Sequence, residues 1–326
     1  MTLNQLRSFL AVAETGSVRA AAHDLVVTQA AVSASLTALQ KSLGVTLLEP
    51  DGRGLRLTAA GQAYAGYVQR VLGLLDEAGR AAAVAADPER GELRIAAVTT
   101  AAEQILPGLL SGFRTRHPQL GIRLEAGNRD RVRGLLDRHQ VDLVLGGRPE
   151  PGWDVEVLAE RPHQLVVVAA PGLASSARDA APRPGRTGLD GSHLVAWLAR
   201  QAWLLREPGS GTRAATDALL TELDIAPLTL MVGSNGAIRE SASVGLGVTL
   251  ISRDAVAAEL ADGRLAALPV PGTPMHRDWY LVAHPGLLPP AAGRLVAYVL
   301  SHGGFHRAES RSVVPFVPPA AQKGPS

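Results

Sequence analysis

Between Thr58 and Ala86 the chain places Tyr64, Val68, Val71, Leu75, Ala78 and Ala82 at steps of 4, 3, 4, 3 and 4. That spacing predicts one helix, capped by Thr58, about 43 Å long and carrying a single apolar stripe. This helix, over 58–88, is the expected linker between the segments that precede and follow it. The stripe reads either as the buried side of an amphipathic core helix or as a seam against a second chain. Its length favours the seam, with Tyr64, Val68, Val71 and Leu75 as dimerisation residues. Gly61, Gly66, Gly73 and Gly79 each cost roughly 1 kcal/mol relative to alanine, which makes packing the more necessary.

Residues 1–57 read as three helices and a hairpin. Leu3, Leu6, Phe9, Leu10 and Val12 recur at helical period, Gly16 and Ser17 end that helix and cap Val18 to Asp24, and Thr28 caps a third. In the third, Val32, Leu36, Leu39 and Leu43 form the inward stripe, which turns Gln29, Ser33, Ala34, Thr37 and Lys41 outward. Asp51-Gly52, between two short apolar runs, signals a hairpin. The expectation is a winged helix-turn-helix.

After Asp87-Pro88-Glu89-Arg90-Gly91, strand and helix patterns alternate: LRIAAV, Ala102 to Arg116, GIRLEA, Arg129 to Arg138 and VDLVLG. This predicts an α/β body with parallel strands. LVVVAA and a Pro, Arg and Gly-rich stretch from Pro171 to Gly191 interrupt the alternation. It resumes with WLLRE, Thr212 to Leu223, LTLMV, Asn235 to Val244 and VTLIS. DWYLVA and a helix from Pro290 to Leu300 then lead back to the first lobe. The expected body spans 89–303, with lobe I over 89–160 and 268–303, lobe II over 161–267, and a disordered tail over 304–326.

Composition narrows the chemistry. With 32 basic and 30 acidic residues the net charge is +2, so any polyanion surface must be local. Lys41 and Lys323 are the only lysines, and the other 30 basic residues are arginine; a GC-rich genome accounts for that globally, phosphate or carboxylate recognition only locally. The absence of cysteine excludes disulfides and thiolate chemistry, and fits a reducing compartment. No export signal or apolar run long enough for a bilayer is present, so a cytoplasmic protein without a membrane partner is expected. There is no G-x-S-x-G elbow, and Gly303-Gly304 undermines the metal-ligand spacing of His302 and His306. Neither an enzyme, a metal nor a cofactor is expected.

The N-terminal motifs Leu6-Arg7-Ser8-Phe9, Gly16-Ser17, Ala20-Ala21-Ala22, Thr28-Gln29-Ala30-Ala31-Val32-Ser33, Leu43-Gly44-Val45-Thr46-Leu47-Leu48, Arg53-Gly54-Leu55-Arg56-Leu57-Thr58 and Ala60-Gly61 resemble, in order, those of LysR-type transcriptional regulators. Arg206-Glu207-Pro208-Gly209-Ser210-Gly211-Thr212-Arg213, Gly233-Ser234-Asn235 and Gly245-Leu246-Gly247 extend the likeness through the family's effector domain to about residue 303. They look closest to the subgroup controlling carbon-dioxide fixation operons. The resemblance implies a two-lobed, periplasmic-binding-protein-like (type 2) effector domain, promoter DNA and a small metabolite as partners, and a homodimer or homotetramer. The subgroup adds sugar phosphates and nicotinamide dinucleotides as candidate effectors. The chain departs from the family pattern at Ala30, usually proline, at Leu48, usually aromatic, at Pro50, usually arginine, and at Ala34 and Ser35, where basic or longer polar residues are common. In the winged body five cations (Arg7, Arg19, Lys41, Arg53, Arg56) oppose four anions (Glu14, Asp24, Glu49, Asp51), a balance of only +1.

Major-groove reading needs short donors and acceptors near a helix start, which Thr28, Gln29, Ser33 and Thr37 supply, with Lys41 along the same helix. Arg53 in the wing suits a phosphate or the minor groove, or is simply an exposed hairpin charge. In the effector body, Gly209 and Gly211 lie between a strand and a helix, so Ser210, Gly211 and Thr212 can offer backbone N–H groups to an anion; a plain glycine turn is the alternative. Gly209-x-Gly211-x-x-Ala214 mimics a dinucleotide fingerprint, but the next strand, LTLMV, ends in Gly233-Ser234, with no carboxylate placed to take a ribose. The resemblance favours an anion cradle completed by Thr99, Thr100, Asn128, Arg206, Ser234 and Asn235, while Arg148 pairs either a ligand charge or Glu150. From another class, a bilobed solute-binding protein or enzyme with a helical extension is the alternative.

Overall fold

The computed structural model describes residues 1–52, 54–86, 91–180, 192–286 and 288–308. It divides into two compact units, Met1–Gly91 with Asp137–Val141, and Glu92–Leu136 with the remainder.

In the first unit α1 (Leu3–Thr15) begins with a capping box, in which Thr2 and Gln5 each bond the other's backbone N–H, and ends at Gly16 in the left-handed region. Ser17 caps α2 (Val18–Asp24) and Thr28 caps α3 (Gln29–Leu43), as their sequences anticipate. The turn between them holds Val26 at φ 55, a left-handed conformation that a β-branched residue rarely adopts, with its side chain 90% exposed. Strands β1 (Leu48–Asp51) and β2 (Gly54–Leu57) pair antiparallel and form the wing. Phe9, Val12, Val32, Leu36, Leu39 and Leu47 make the core.

The linker helix α4 (Ala59–Ala86) starts where expected, Thr58 Oγ1 accepting from the N–H of Gly61 at 3.0 Å. The expected seam divides, however. Val68 is only 2% exposed and belongs to the winged unit's own core, and Tyr64 packs on that core with its ring 5.6 Å from Phe9. Those two residues fit the core-helix reading, because the first turns of α4 lie over α1. Val71 and Leu75 stay 46% and 44% exposed, flanked by exposed Tyr67 and Leu74.

The second unit runs β3 (Glu92–Val98), α5 (Thr99–Gln104), α6 (Leu106–Arg116), β4 (Gly121–Gly127), α7 (Arg129–Asp137), β5 (Leu143–Gly146) and β6 (Glu156–Ala169). Next come α8 (Pro171–Ala180), α9 (Ser192–Leu198), β7 (Trp203–Leu205), α10 (Gly211–Glu222), β8 (Thr229–Met231), α11 (Asn235–Ser243) and β9 (Thr249–Ser252). The last elements of the described residues are α12 (Ala257–Ala261), β10 (Ala266–Ala267), β11 (Met275–Ala283) and α13 (Pro290–His302). The strands expected to run parallel do so, and antiparallel pairing enters with the strand that interrupts the alternation. β3 runs parallel to β4 and β5, and β7 to β8, but β6 pairs antiparallel with β9, β10 and β11. The reason is the return crossing: β6 leaves the first group of strands and β11 comes back beside it, so the two must oppose.

β6 is also twice the apolar run that announces it, because its first half alternates polar residues and is held by pairing with β11 from Glu156↔Ala283 to Leu165↔Met275. At one end this pair feeds a core of Ile95, Phe113, Leu143, Ala159, Trp279, Leu281 and Leu295. At the other, Leu165 and Val167 enter a second core with Trp203, Leu219 and Leu250, while alternate Val166 and Val168 face Ile238, Ile251 and Val256. Part of the stretch expected to interrupt the pattern is α8, whose Ala174 and Ala177 are buried; small residues give it too weak a period to stand out. Residues 181–191 lie outside the described residues. The expected tail also begins too early. Phe305 is buried in the first core, and the backbones of His306 and Glu160 bond each other twice at 2.9 Å, so 304–306 are fixed; 309–326 lie outside the described residues.

Candidate functional site

Helix α3 shows one chemical face. Gln29, Ser33, Thr37 and Lys41 are all exposed at successive turns, opposite the buried Val32, Leu36 and Leu39. Thr28 is engaged as the cap, its hydroxyl accepting from the N–H of Ala31 at 3.2 Å. In the wing, Arg56 is bound by Glu49 at 2.5 Å, which lowers the free positive charge there. Arg53, expected at the wing tip, lies outside the described residues.

Within the second unit a cavity of about 550 Å³ opens among the ends of three strands, the β6–β11 pair and the start of α10. Thr99, Thr100, Asn128, Arg148, Arg206, Ser210, Gly211 and Thr212 all line it. Ser234 and Asn235, expected with them, do not. Ser234 caps α11, accepting from the N–H of Ala237 at 3.0 Å. Asn235 sits buried behind the wall, its Oδ1 accepting from Arg206 Nη1 at 2.6 Å and its Nδ2 donating to Thr100 Oγ1 at 2.7 Å. It thereby ties α11 to α5. A residue read as a ligand contact is a positioning strut.

Arg206 itself is buried and donates through Nε and Nη2 to Glu207, both at 2.8 Å, and these bonds hold the Glu207 carboxyl below its ordinary pKa. Ser210 leaves the first N–H groups of α10 without a side-chain cap and instead meets the Thr212 hydroxyl at 2.9 Å. Those N–H groups form one donor wall of the cavity. Gly209, at φ 85, is the glycine the turn requires; a Cβ on Gly211 would meet nothing within 4 Å. Asn128 caps α7 through Arg131 N at 2.9 Å, and Thr99 Oγ1 donates to Gly127 O at 3.2 Å. Arg148 does not pair with Glu150, which binds Arg133 at 2.5 Å and Arg129 at 3.5 Å. Arg148 instead donates to Tyr280 Oη at 3.2 Å and lies over that ring.

The opposite wall was not anticipated. His163, Arg277, Trp279 and Tyr280 come from the β6–β11 pair, where Arg277 faces His163 across the ladder. Such neighbours are 114 positions apart in the chain and announce themselves only through pairing; the nearest signal was the polar start of HRDWYLVA. His163 is buried and stacks on Trp279 at 4.3 Å. Its pKa is pushed down to about 4, chiefly by burial, against the pull of Asp254 with Nδ1 and Oδ2 3.8 Å apart, so the ring is neutral at pH 7. Desolvation, and then the charge of Arg129, lowers the pKa of Arg277. The cavity therefore combines guanidinium groups, hydroxyls and uncapped N–H groups, a donor-rich lining suited to a small anion.

Among the described residues no cluster of three or more His, Asp or Glu is arranged to hold a metal, and no helix is long and apolar enough to cross a membrane. His302 and His306 are separately engaged, the first stacked on Tyr298 and the second hydrogen-bonded through Nε2 to Glu160 Oε1 at 3.2 Å.

Residues 3–62 match the family described as "Bacterial regulatory helix-turn-helix protein, lysR family", and residues 86–304 match "LysR substrate binding domain". The chain is 37% identical over 309 residues to the HTH-type transcriptional regulator CbbR of Xanthobacter flavus, covering 93% of this chain and 88% of that one. It is 34% identical over 303 residues to a RuBisCO operon transcriptional regulator of Allochromatium vinosum, covering 92% and 96%. The solved regulatory domain of CcmR from Synechocystis PCC6803, in complex with 2-PG, superposes with a TM-score of 0.55 at 27% identity, covering 65% of this chain and 97% of that one.

Proposed function

Because the chain belongs to the LysR family of bacterial transcription regulators, we propose that its winged unit reads promoter DNA through α3 while its cavity receives a small anionic metabolite that changes how the DNA is held. In this reading 1–57 is the DNA-binding domain, 58–88 the linker and dimerisation helix, and 89–303 the effector domain, and the protein works in the cytoplasm. Gln29, Ser33 and Thr37 meet base edges, and Lys41 and Arg53 meet phosphates. The observation that carries the effector half is the convergence of eight expected residues on one donor-rich cavity. A relative's domain holding 2-PG, an anionic metabolite, supports the same chemistry. The enzyme and solute-binding alternatives have no such support, since relatives spanning nearly the whole chain are named as regulators.

Regulation requires the effector to bind two arrangements of the effector body unequally, since equal affinity shifts nothing. Tyr67, Val71, Leu74 and Leu75 leave an exposed apolar strip on α4, and a second copy covering it pairs two winged units. The winged body's small charge balance makes such doubling useful, because linked weak sites gain avidity. The test is titration calorimetry with 2-PG against the intact protein and Gly211→Val. The added side chain has room and enters the cavity, so it abolishes effector binding while promoter binding persists. Unchanged 2-PG affinity in the variant would place the site elsewhere. For the seam, Leu75→Asp shifts the mass in light scattering to that of a monomer; an unchanged mass refutes it.

A further inference from the structure

A single file of hydrogen bonds runs through the wall behind the cavity. Glu207 accepts from Arg206 Nε and Nη2, Arg206 Nη1 donates to Asn235 Oδ1 at 2.6 Å, and Asn235 Nδ2 donates to Thr100 Oγ1 at 2.7 Å. Arg206, Asn235 and Thr100 are 7%, 4% and 7% exposed. The file crosses between cores. Thr100 stands in α5 beside Ala101 and Ala102 of the first core, whereas Asn235 opens α11, whose Ile238 lies in another.

Only one direction is open to these bonds. A guanidinium has N–H donors and no acceptor, so the oxygen of the Asn235 amide must face Arg206. The amide nitrogen is left for Thr100, and against an NH₂ group a hydroxyl can only accept. The Thr100 proton must then point elsewhere, and among the described residues no group accepts it. Thr100 lines the cavity, and leaving a buried donor unanswered carries a cost that an acceptor in the cavity removes. Bonds arranged head to tail also strengthen one another: Arg206 makes the amide a better donor, and the hydroxyl that accepts from it becomes a better donor in turn.

On the reading that the cavity receives an anion, we propose that Asn235 is the positioning residue of that site: without meeting the ligand it fixes Thr100 as an obligate donor, so the ligand atom seated there must be an acceptor such as a carboxylate or phosphate oxygen. A freely turning threonine hydroxyl serves donors and acceptors alike. Here the choice is made one residue behind the wall, and a ligand that offers an N–H or ammonium group at this point is refused.

The experiment is a double-mutant cycle on the intact chain, read by calorimetry with 2-PG, inorganic phosphate and sulfate as probes. Asn235→Asp keeps the size of the side chain and the bond from Arg206 but presents Thr100 with an acceptor, so the hydroxyl turns its proton away from the cavity. Thr100→Val removes the hydroxyl. Each change alone weakens binding roughly tenfold or more. Because both act on one proton, the double variant binds no more weakly than Thr100→Val. A strut that merely holds α11 against α5 gives effects that multiply, as does repulsion of the anion by the new carboxylate, and either result overturns the proposal while leaving the anion cavity standing. Asn235→Ala runs the same cycle without an added charge and decides the question if the aspartate variant melts early. If no probe binds the wild type while promoter binding is intact, the anion cavity fails and the proposal with it.

Discussion

The two surfaces proposed to meet partners are opposites in construction. The face of α3 is open, short and nearly uncharged, and every residue on it comes from one stretch of fifteen. The cavity of the second unit is recessed and rich in guanidinium groups, several of them already tied to protein acceptors, and its lining is gathered from positions 98 to 280. The first depends on a single helix being capped and seated. The second depends on a ladder of paired strands and on buried struts, so it is sensitive to changes far from any ligand contact.

That contrast is broken most severely at Gly61. A Cβ there would lie 2.0 Å from the Leu47 carbonyl oxygen, so Gly61→Ala costs the winged unit about 3 kcal/mol or more. Promoter binding in a mobility shift is lost, and effector binding by calorimetry survives. Arg206→Ala does the converse. It strands the buried Asn235 and frees Glu207, at a cost of about 3 kcal/mol to the second unit, and calorimetric scanning shows that unit's transition moving down while the winged unit's stays. A single shared transition displaced by either variant would mean the two units do not fold separately.

Acid sharpens the contrast next. The unfolded chain protonates His163 near 6.5 and the folded chain only near 4. Its contribution is full above pH 6.5 and is lost as the pH falls through 4, a change of roughly 3 kcal/mol confined to the second unit. His163→Phe, which keeps a ring against Trp279 and cannot charge, flattens the melting temperature of that unit across this window; an unaltered slope refutes the assignment. Smallest is Val26→Gly, which relieves the left-handed valine and raises winged-unit stability by about 1 kcal/mol in denaturant titration, leaving the second unit unchanged.

Legibility followed the same divide. The caps Ser17, Thr28 and Thr58 and the stripe Val32, Leu36, Leu39 are local patterns, and each element stands where its residues place it. The linker stripe shows where periodicity stops informing: Val68 and Leu75 occupy equivalent steps, yet one is buried and the other open, because the pattern does not record where α1 ends beneath it. In the cavity the glycine turn and the strand-end hydroxyls were visible because they lie at element boundaries. His163 and Arg277 were not, since nothing local marks two strand residues as neighbours. Asn235, expected as a ligand contact, turns its side chain toward Arg206 and Thr100 instead, a direction that its place in the sequence does not carry.

The β6–β11 ladder also limits how descendants of this protein can acquire new ligands. Its rungs deliver His163, Arg277 and Trp279 to the cavity from fixed positions, and inserting or deleting one residue in either strand would turn every later side chain to the opposite face. Gly147 to Pro151, by contrast, reach the cavity from the connection after β5, which has no partner strand to keep in step. Diversification on this wall must therefore proceed one substitution at a time, whereas the connection at the strand ends is free to lengthen and shorten. A lineage comparison should find length changes there and an invariant count of residues along the ladder.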